Sequence, residues 1–144
     1  MEKYFKKTDY AKLDGRQKEV YNFHCVAALL AKCGFATYAI RDDWNGGDMF
    51  ARHMTTNATM IVQLKSRMTF DKKYLGKDVW IGFPDGDGAS VFPHDSFLEA
   101  YQSKRATRGR PLDDNDAWTA DGKVSWASPT LELRQMLATY RLDP

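Results

Sequence analysis

Two cysteines in 144 residues are too few for a disulfide-stapled scaffold. Cys25 and Cys33 also fall on one predicted helix, with about 12 Å of rise between them. A bridge requires Cα atoms within about 7 Å, so the spacing predicts buried thiols. Without a His-rich cluster nearby, two thiols also make a poor zinc site. Long apolar runs are missing: nothing approaches the roughly 20 residues that cross a bilayer. Met1-Glu2-Lys3-Tyr4-Phe5-Lys6-Lys7 lacks the apolar centre of a signal peptide. The expected compartment is therefore the cytoplasm, with no membrane partner. There is no Gly-x-Ser-x-Gly elbow, which argues against the common serine hydrolases. There is no Gly-x-Gly-x-x-Gly or P-loop either, which argues against nucleotide cofactors. A dominant charge of one sign is absent too, since the net charge is only +2.

What is present suits a soluble globular chain: 43% hydrophobic and 28% charged residues exclude a disordered one. The length predicts one domain, 1–144, with a core over about 14–104 and a C-terminal extension over 105–144 that carries a last helix. From Arg16 to Lys32, Val20, Phe23, Ala27 and Leu30 recur at helical spacing, with Val26 and Leu29 widening the stripe. Asp14-Gly15 reads as the start of that helix, and Gly34 stands where a left-handed stop belongs. Strands are expected at 35–40, 48–53, 59–65 and 78–83, with a short one at 89–92. Residues 66–76 read as polar, with room for a short turn of helix. Pro93-His94-Asp95-Ser96 starts a helix to about Lys104, residues 105–128 read as irregular, and Ser128-Pro129 caps the last helix. The fold class is α/β, a mixed sheet of about four or five strands flanked by helices.

Two strands carry the chemistry. Met60, Val62 and Leu64 share one face of the 59–65 strand, while Ile61, Gln63 and Lys65 share the other. A lysine and an amide on so apolar a strand need partners. Met54-Thr55-Thr56-Asn57-Ala58 reads as a hairpin connection, and a two-residue Thr56-Asn57 turn would place Asp48 opposite Lys65. A slip of one residue would exchange the faces. Gly46-Gly47 before Asp48 permits a close backbone approach or a bulge. The bland alternative is a half-exposed cross-strand ion pair, worth well under a kcal/mol.

Asp48 followed by Gln63-Leu64-Lys65 at the end of an apolar strand resembles the catalytic motif of the PD-(D/E)XK nuclease superfamily. The Gln-x-Lys form is most similar to Mrr-type restriction endonucleases. The resemblance covers roughly residues 16–83 and includes the helix, the Gly-Phe entry to the first strand, the Asp hairpin and a following strand. It implies a restriction-endonuclease-like fold and a Mg²⁺- or Mn²⁺-dependent endonuclease acting on DNA. Asp48 would be the main metal ligand, Gln63 a neutral one, and Lys65 would hold the water and stabilise charge on the phosphate. The helix carboxylate of related families falls here near Asn22-Phe23, not on an acid. Glu19, one turn earlier, is the substitute candidate, with Asp43 a further one. Lys72, Lys73, Lys104, Arg105, Arg108 and Arg110 would contact phosphates, although a solvated loop is the plainer reading of the 104–110 run. A homodimer that cuts both strands is a further implication. Two other functions stay open: an inactive nucleic-acid-binding module of the same fold, and a small protein-interaction factor. Trp118 and Trp126 would either pin the irregular segment to the core or stack on bases. His94 is expected as a capping or surface residue.

Overall fold

The computed structural model describes residues 3–41, 46–112 and 116–144. Helix α1 (Gly15–Lys32) opens with a capping box, in which the Asp14 side chain accepts from Gln17 N–H and the Gln17 side chain accepts from Asp14 N–H. Such a cap is worth about 1 kcal/mol. Gly34, at φ +87°, ends the helix and turns the chain into strand β1 (Phe35–Ala39). Strands β2 (Met49–His53) and β3 (Thr59–Leu64) follow. The stretch 66–76 contains the short helical turn expected there and, beyond it, a strand. It holds β4 (Met68–Asp71) and a 3-10 turn at Lys72–Tyr74. Then come β5 (Val79–Asp85), β6 (Gly88–Pro93) and α2 (His94–Thr107). The region read as irregular contains α3 (Asp116–Asp121) and β7 (Lys123–Trp126). The chain closes with α4 (Leu131–Leu137), a 3-10 turn and β8 (Arg141–Leu142). The cap of α4 is Thr130, whose side chain accepts from Leu133 N–H, and not Ser128.

Among the described residues, six strands form one mixed sheet in the order β1-β2-β3-β5-β6-β8, and β4 pairs with β7 in a separate two-stranded sheet. That is more than the four or five strands expected. Only β3 and β5 run parallel; the other pairs are antiparallel. Side-chain alternation divides the core. Met49, Ala51, Val62, Ala89 and Val91 pack with Val26, Leu29 and Leu30 of α1. Val79, Ile81, Phe83 and Phe92 pack on the opposite side with Met68, Phe70, Phe97 and Tyr101. The C-terminal segment joins this second cluster through Leu112, Trp118, Val124, Leu133 and Leu137. Trp118 is buried and Trp126 packs against the same cluster, so both pin their segment to the core. His94 is fully buried rather than at the surface: it accepts from Asp71 N–H through Nε2, and its Nδ1 lies 2.8 Å from Asp95.

The β2–β3 register differs from the expected one by two residues. Met49 pairs with Val62 and Phe50 with Ile61. The connection is a four-residue loop, Met54–Asn57, in which Asn57 N–H donates to His53 O, and Asn57 supplies the left-handed residue at φ 60°. His53 Nδ1 accepts from both Thr55 and Thr56 N–H, which favours the longer loop over the two-residue turn. Because the shift is even, every side chain keeps its face.

Gly47 marks the close approach anticipated for this loop. A Cβ there would stand 2.1 Å from Ile61 Cγ2. Gly47→Ala is expected to destabilise the fold by about 1–3 kcal/mol, the usual cost of overpacking. Ile61→Ala in the same chain should recover part of that loss. Denaturant unfolding of the double-mutant cycle checks it, and strict additivity would refute the contact.

Candidate active site

Asp48 lies one step before the Met49–Val62 pair, and Gln63 one step after it. Asp48 N–H donates to Val62 O at 2.9 Å, which anchors the loop end to β3. Its carboxylate Oδ2 accepts two hydrogen bonds, from Gln63 Nε2 at 2.7 Å and from Leu64 N–H at 3.0 Å. Gln63, not Lys65, is therefore the cross-strand neighbour of Asp48. Turning Nε2 toward Asp48 makes the amide carbonyl the oxygen that Gln63 can offer elsewhere.

Lys65 continues the parallel pairing past the end of β3, with its N–H on Gly82 O at 2.8 Å. Its ammonium sits 5.2 Å from the centre of the Tyr74 ring, and Lys73 Nζ lies 5.1 Å from the same ring. Burial and the positive charge of Lys73 pull the Lys65 pKa below its ordinary value; Asp71 and Asp48 work in the opposite direction. Tyr74 is buried and packs edge-on against His94 at 5.6 Å, so the platform under Lys65 is tied to the core.

Helix α1 forms the opposite wall. Glu19, Asn22 and Phe23 line a cavity of about 380 Å³ together with Asp48, Gln63 and Lys65. Glu19 is exposed on the helix, and Asn22 is buried beneath it. Asn22 Oδ1 accepts from the Tyr10 hydroxyl at 2.9 Å, and its Nδ2 donates to Ser66 Oγ at 3.3 Å. The helix position at which the resemblance leads to an expected acid is thus filled by a satisfied amide. The four residues singled out in the sequence, Asp48, Gln63, Lys65 and Glu19, all face one cavity. Asp43 lies outside the described residues.

None of the six basic residues lines that cavity. Lys72 sits over the Trp118 ring at 5.0 Å, and Lys73 stands 3.9 Å from Asp71. Arg105 stacks on Tyr101 and donates to its hydroxyl at 3.2 Å. Arg108 forms a two-pronged pair with Glu132, at 2.8 and 3.2 Å. Lys104 and Arg110 are exposed. Lys73 and Lys123 both act electrostatically on Lys65.

Sequence reasoning overlooked Tyr74. It was hidden in a stretch read as polar, yet Met68-Thr69-Phe70-Asp71 alternates as a strand does, and that alternation was the available signal.

Among the described residues, no three His, Cys, Asp or Glu side chains converge as a metal cage. Asp48, Gln63 and Glu19 line the cavity with oxygen-bearing side chains, the donor type that Mg²⁺ takes alongside its waters. No described helix is long and apolar enough to cross a membrane. Comparison with known protein families, curated proteins and solved structures gives no match.

Proposed function

We propose that the chain is a metal-dependent endonuclease of the PD-(D/E)XK type, acting on DNA and resembling the Mrr-type enzymes. The observation that carries this reading is the convergence of Asp48, Gln63, Lys65 and Glu19 on one cavity. The order of helix, strand, Asp hairpin, Gln-x-Lys strand and following strand also supports a restriction-endonuclease-like fold.

Asp48, Gln63 and Glu19 would hold the Mg²⁺ or Mn²⁺. When bound, the ion supplies charge on the phosphate and a lowered pKa for water. The chain's own residues supply the rest. Leu64 N–H and the Gln63 amide fix the Asp48 carboxylate in one orientation. Lys65 places a positive charge at the end of β3, where negative charge grows on the phosphate oxygens. Its contact with Tyr74 and its position beside the sheet reduce its freedom, so little reorganisation is needed when the phosphate arrives.

One observation favours the second reading, an inactive binding module. Asn22 stands where a helix carboxylate is expected, and Tyr10 and Ser66 already satisfy it.

The test is a cleavage panel of supercoiled, linear, branched and single-stranded DNA, with RNA alongside, in Mg²⁺, Mn²⁺ or EDTA. Metal-dependent cutting by the wild type, lost in Asp48→Ala, is expected. Full cleavage by Asp48→Ala would refute the site. Binding without any cutting would favour the inactive module.

A further inference from the structure

The cavity around Asp48 does not end at α1. A second groove, of about 490 Å³, opens beyond Glu19 and Phe23, and those two residues line both spaces. Its floor is apolar, built from Val20 and Phe23 of α1 and from Ile40 just past β1. Two arginines also line it, Arg16 from the first turn of α1 and Arg41, together with Glu19, His24 and Ala39. Val20 belongs to the helical stripe that periodicity assigns to the core, yet it is 48% exposed. A single exposed valine is ordinary; one lying beside Phe23 and Ile40 in a concavity next to a candidate phosphate site is a surface with a use. Arg16 and Arg41 are exposed, and among the described residues neither guanidinium has a hydrogen-bond or ion-pair partner.

We propose that this groove receives the nucleotide next to the bond being cut. Its base is unpaired and lies on Phe23 and Val20, and its phosphate is held between Arg16 and Arg41. The inference rests on the nuclease reading and specifies its substrate: a strand that is single, or opened, at the cleavage point.

The shape and charge of the groove select this occupant. A phosphate backbone alone has no use for an apolar floor, whereas the face of a base does. In an intact duplex the bases cover one another's faces and offer only edges and backbone, so the floor would stay empty. An apolar peptide or an acyl chain would use the floor but not the two arginines. Glu19, at the junction of the two spaces, would repel an anionic strand unless a cation lies alongside. Under the nuclease reading, the metal ion that Asp48, Gln63 and Glu19 would hold supplies that cation.

The experiment compares a fluorescent single-stranded oligothymidine, a duplex with a central unpaired bubble, and the fully paired duplex. Binding is measured by anisotropy at low salt in Ca²⁺, an oxygen-seeking cation, and cleavage in Mg²⁺. Val20→Glu is the main variant, because a half-exposed helical position accepts glutamate without unfolding; thermal melting verifies this. Arg16→Gln and Arg41→Gln probe the two arginines. Val20→Glu is expected to weaken binding of the single strand and the bubble about tenfold, the scale of one lost base stack, with little change for the paired duplex. If the paired duplex is bound and cut as well as the bubble, and Val20→Glu changes neither, the groove assignment is overturned while the nuclease reading stands. If the single strand shows the expected binding pattern but nothing is cut, the groove is supported and the nuclease reading fails. If none of the three is bound or cut, both fall.

Discussion

Lys65→Met is expected to lower cleavage by about 10²- to 10³-fold, the usual effect of removing one positioned charge from a site where negative charge develops. Methionine keeps the aliphatic stem against Tyr74, so packing is preserved and the charge alone is lost. Stability should not suffer. The Lys65 pKa is lowered chiefly because burial penalises the ammonium, with Lys73 adding to it. A lysine with a lowered folded value burdens the fold: the cost is full below that folded value and fades as pH rises toward the ordinary 10.5. Lys65→Met should therefore equal or exceed the wild type in thermal stability at neutral pH, and the difference should narrow on the alkaline side. Loss of activity with unchanged or raised stability is the signature of a charge placed for function. Wild-type cleavage by the methionine variant would remove Lys65 from the site. A lower melting temperature would show that its role is structural.

Asp85→Asn should produce the largest loss of stability. Asp85 is 4% exposed at the tip of the β5–β6 hairpin, where its carboxylate accepts hydrogen bonds from Arg134 and from Ser90 at 2.8 Å. Arg141 adds a contact at 3.4 Å to the carboxylate and donates to the Asp85 carbonyl at 2.6 Å. Burial by itself would raise the Asp85 pKa. The bonds from Arg134 and Ser90 and the charges of both arginines outweigh it, and hold the carboxyl below its ordinary 3.8. Breaking a buried pair costs about 3–5 kcal/mol. Because Arg134 is 42% exposed, the lower end, about 3 kcal/mol, is expected. That corresponds to a fall of roughly 10 °C in melting temperature for a chain of this size. The sign with pH is fixed. A carboxylate with a depressed folded value stabilises fully above 3.8 and loses that contribution as pH falls through the folded value. The gap between melts of the two proteins should narrow as pH falls from 7 toward 2. Superposed curves at pH 7, or a gap that does not narrow with acid, would refute the assignment.

The parts of the fold visible in the sequence were those set by local periodicity and terminal chemistry. Asp14 and Gly34 bounded α1, and alternation placed Ile61, Gln63 and Lys65 on one face of β3. The glycines before Asp48 announced a close approach that Ile61 Cγ2 occupies. What escaped was fixed by distant partners. Strands β4 and β7 are four residues each and pair across more than fifty positions, Met68 with Trp126; neither has enough length for its own pattern to stand out. The hairpin register depended on His53 accepting two backbone N–H groups, a local competition that composition does not reveal. Periodicity assigned Val20 to the core, although α1 turns it half outward. The facing of Asp48, Gln63 and Lys65 was legible despite the register error, because strand alternation survives an even shift. Asp48 found Gln63 instead of Lys65 and still faced the same cavity.

The clasp on Asp85 also has a kinetic meaning. Arg134 and Arg141 lie 49 and 56 positions along the chain from it. The hairpin that carries Asp85 closes across two residues, Gly86 and Asp87, and can form in microseconds. The arginines arrive only after a long segment has been ordered, and loop-closure entropy makes such contacts late. Interactions absent from the folding barrier govern how fast a protein comes apart rather than how fast it assembles. The clasp is therefore a latch on lifetime: with Asp85 changed, the molecule should fold at nearly its former rate and unfold far sooner.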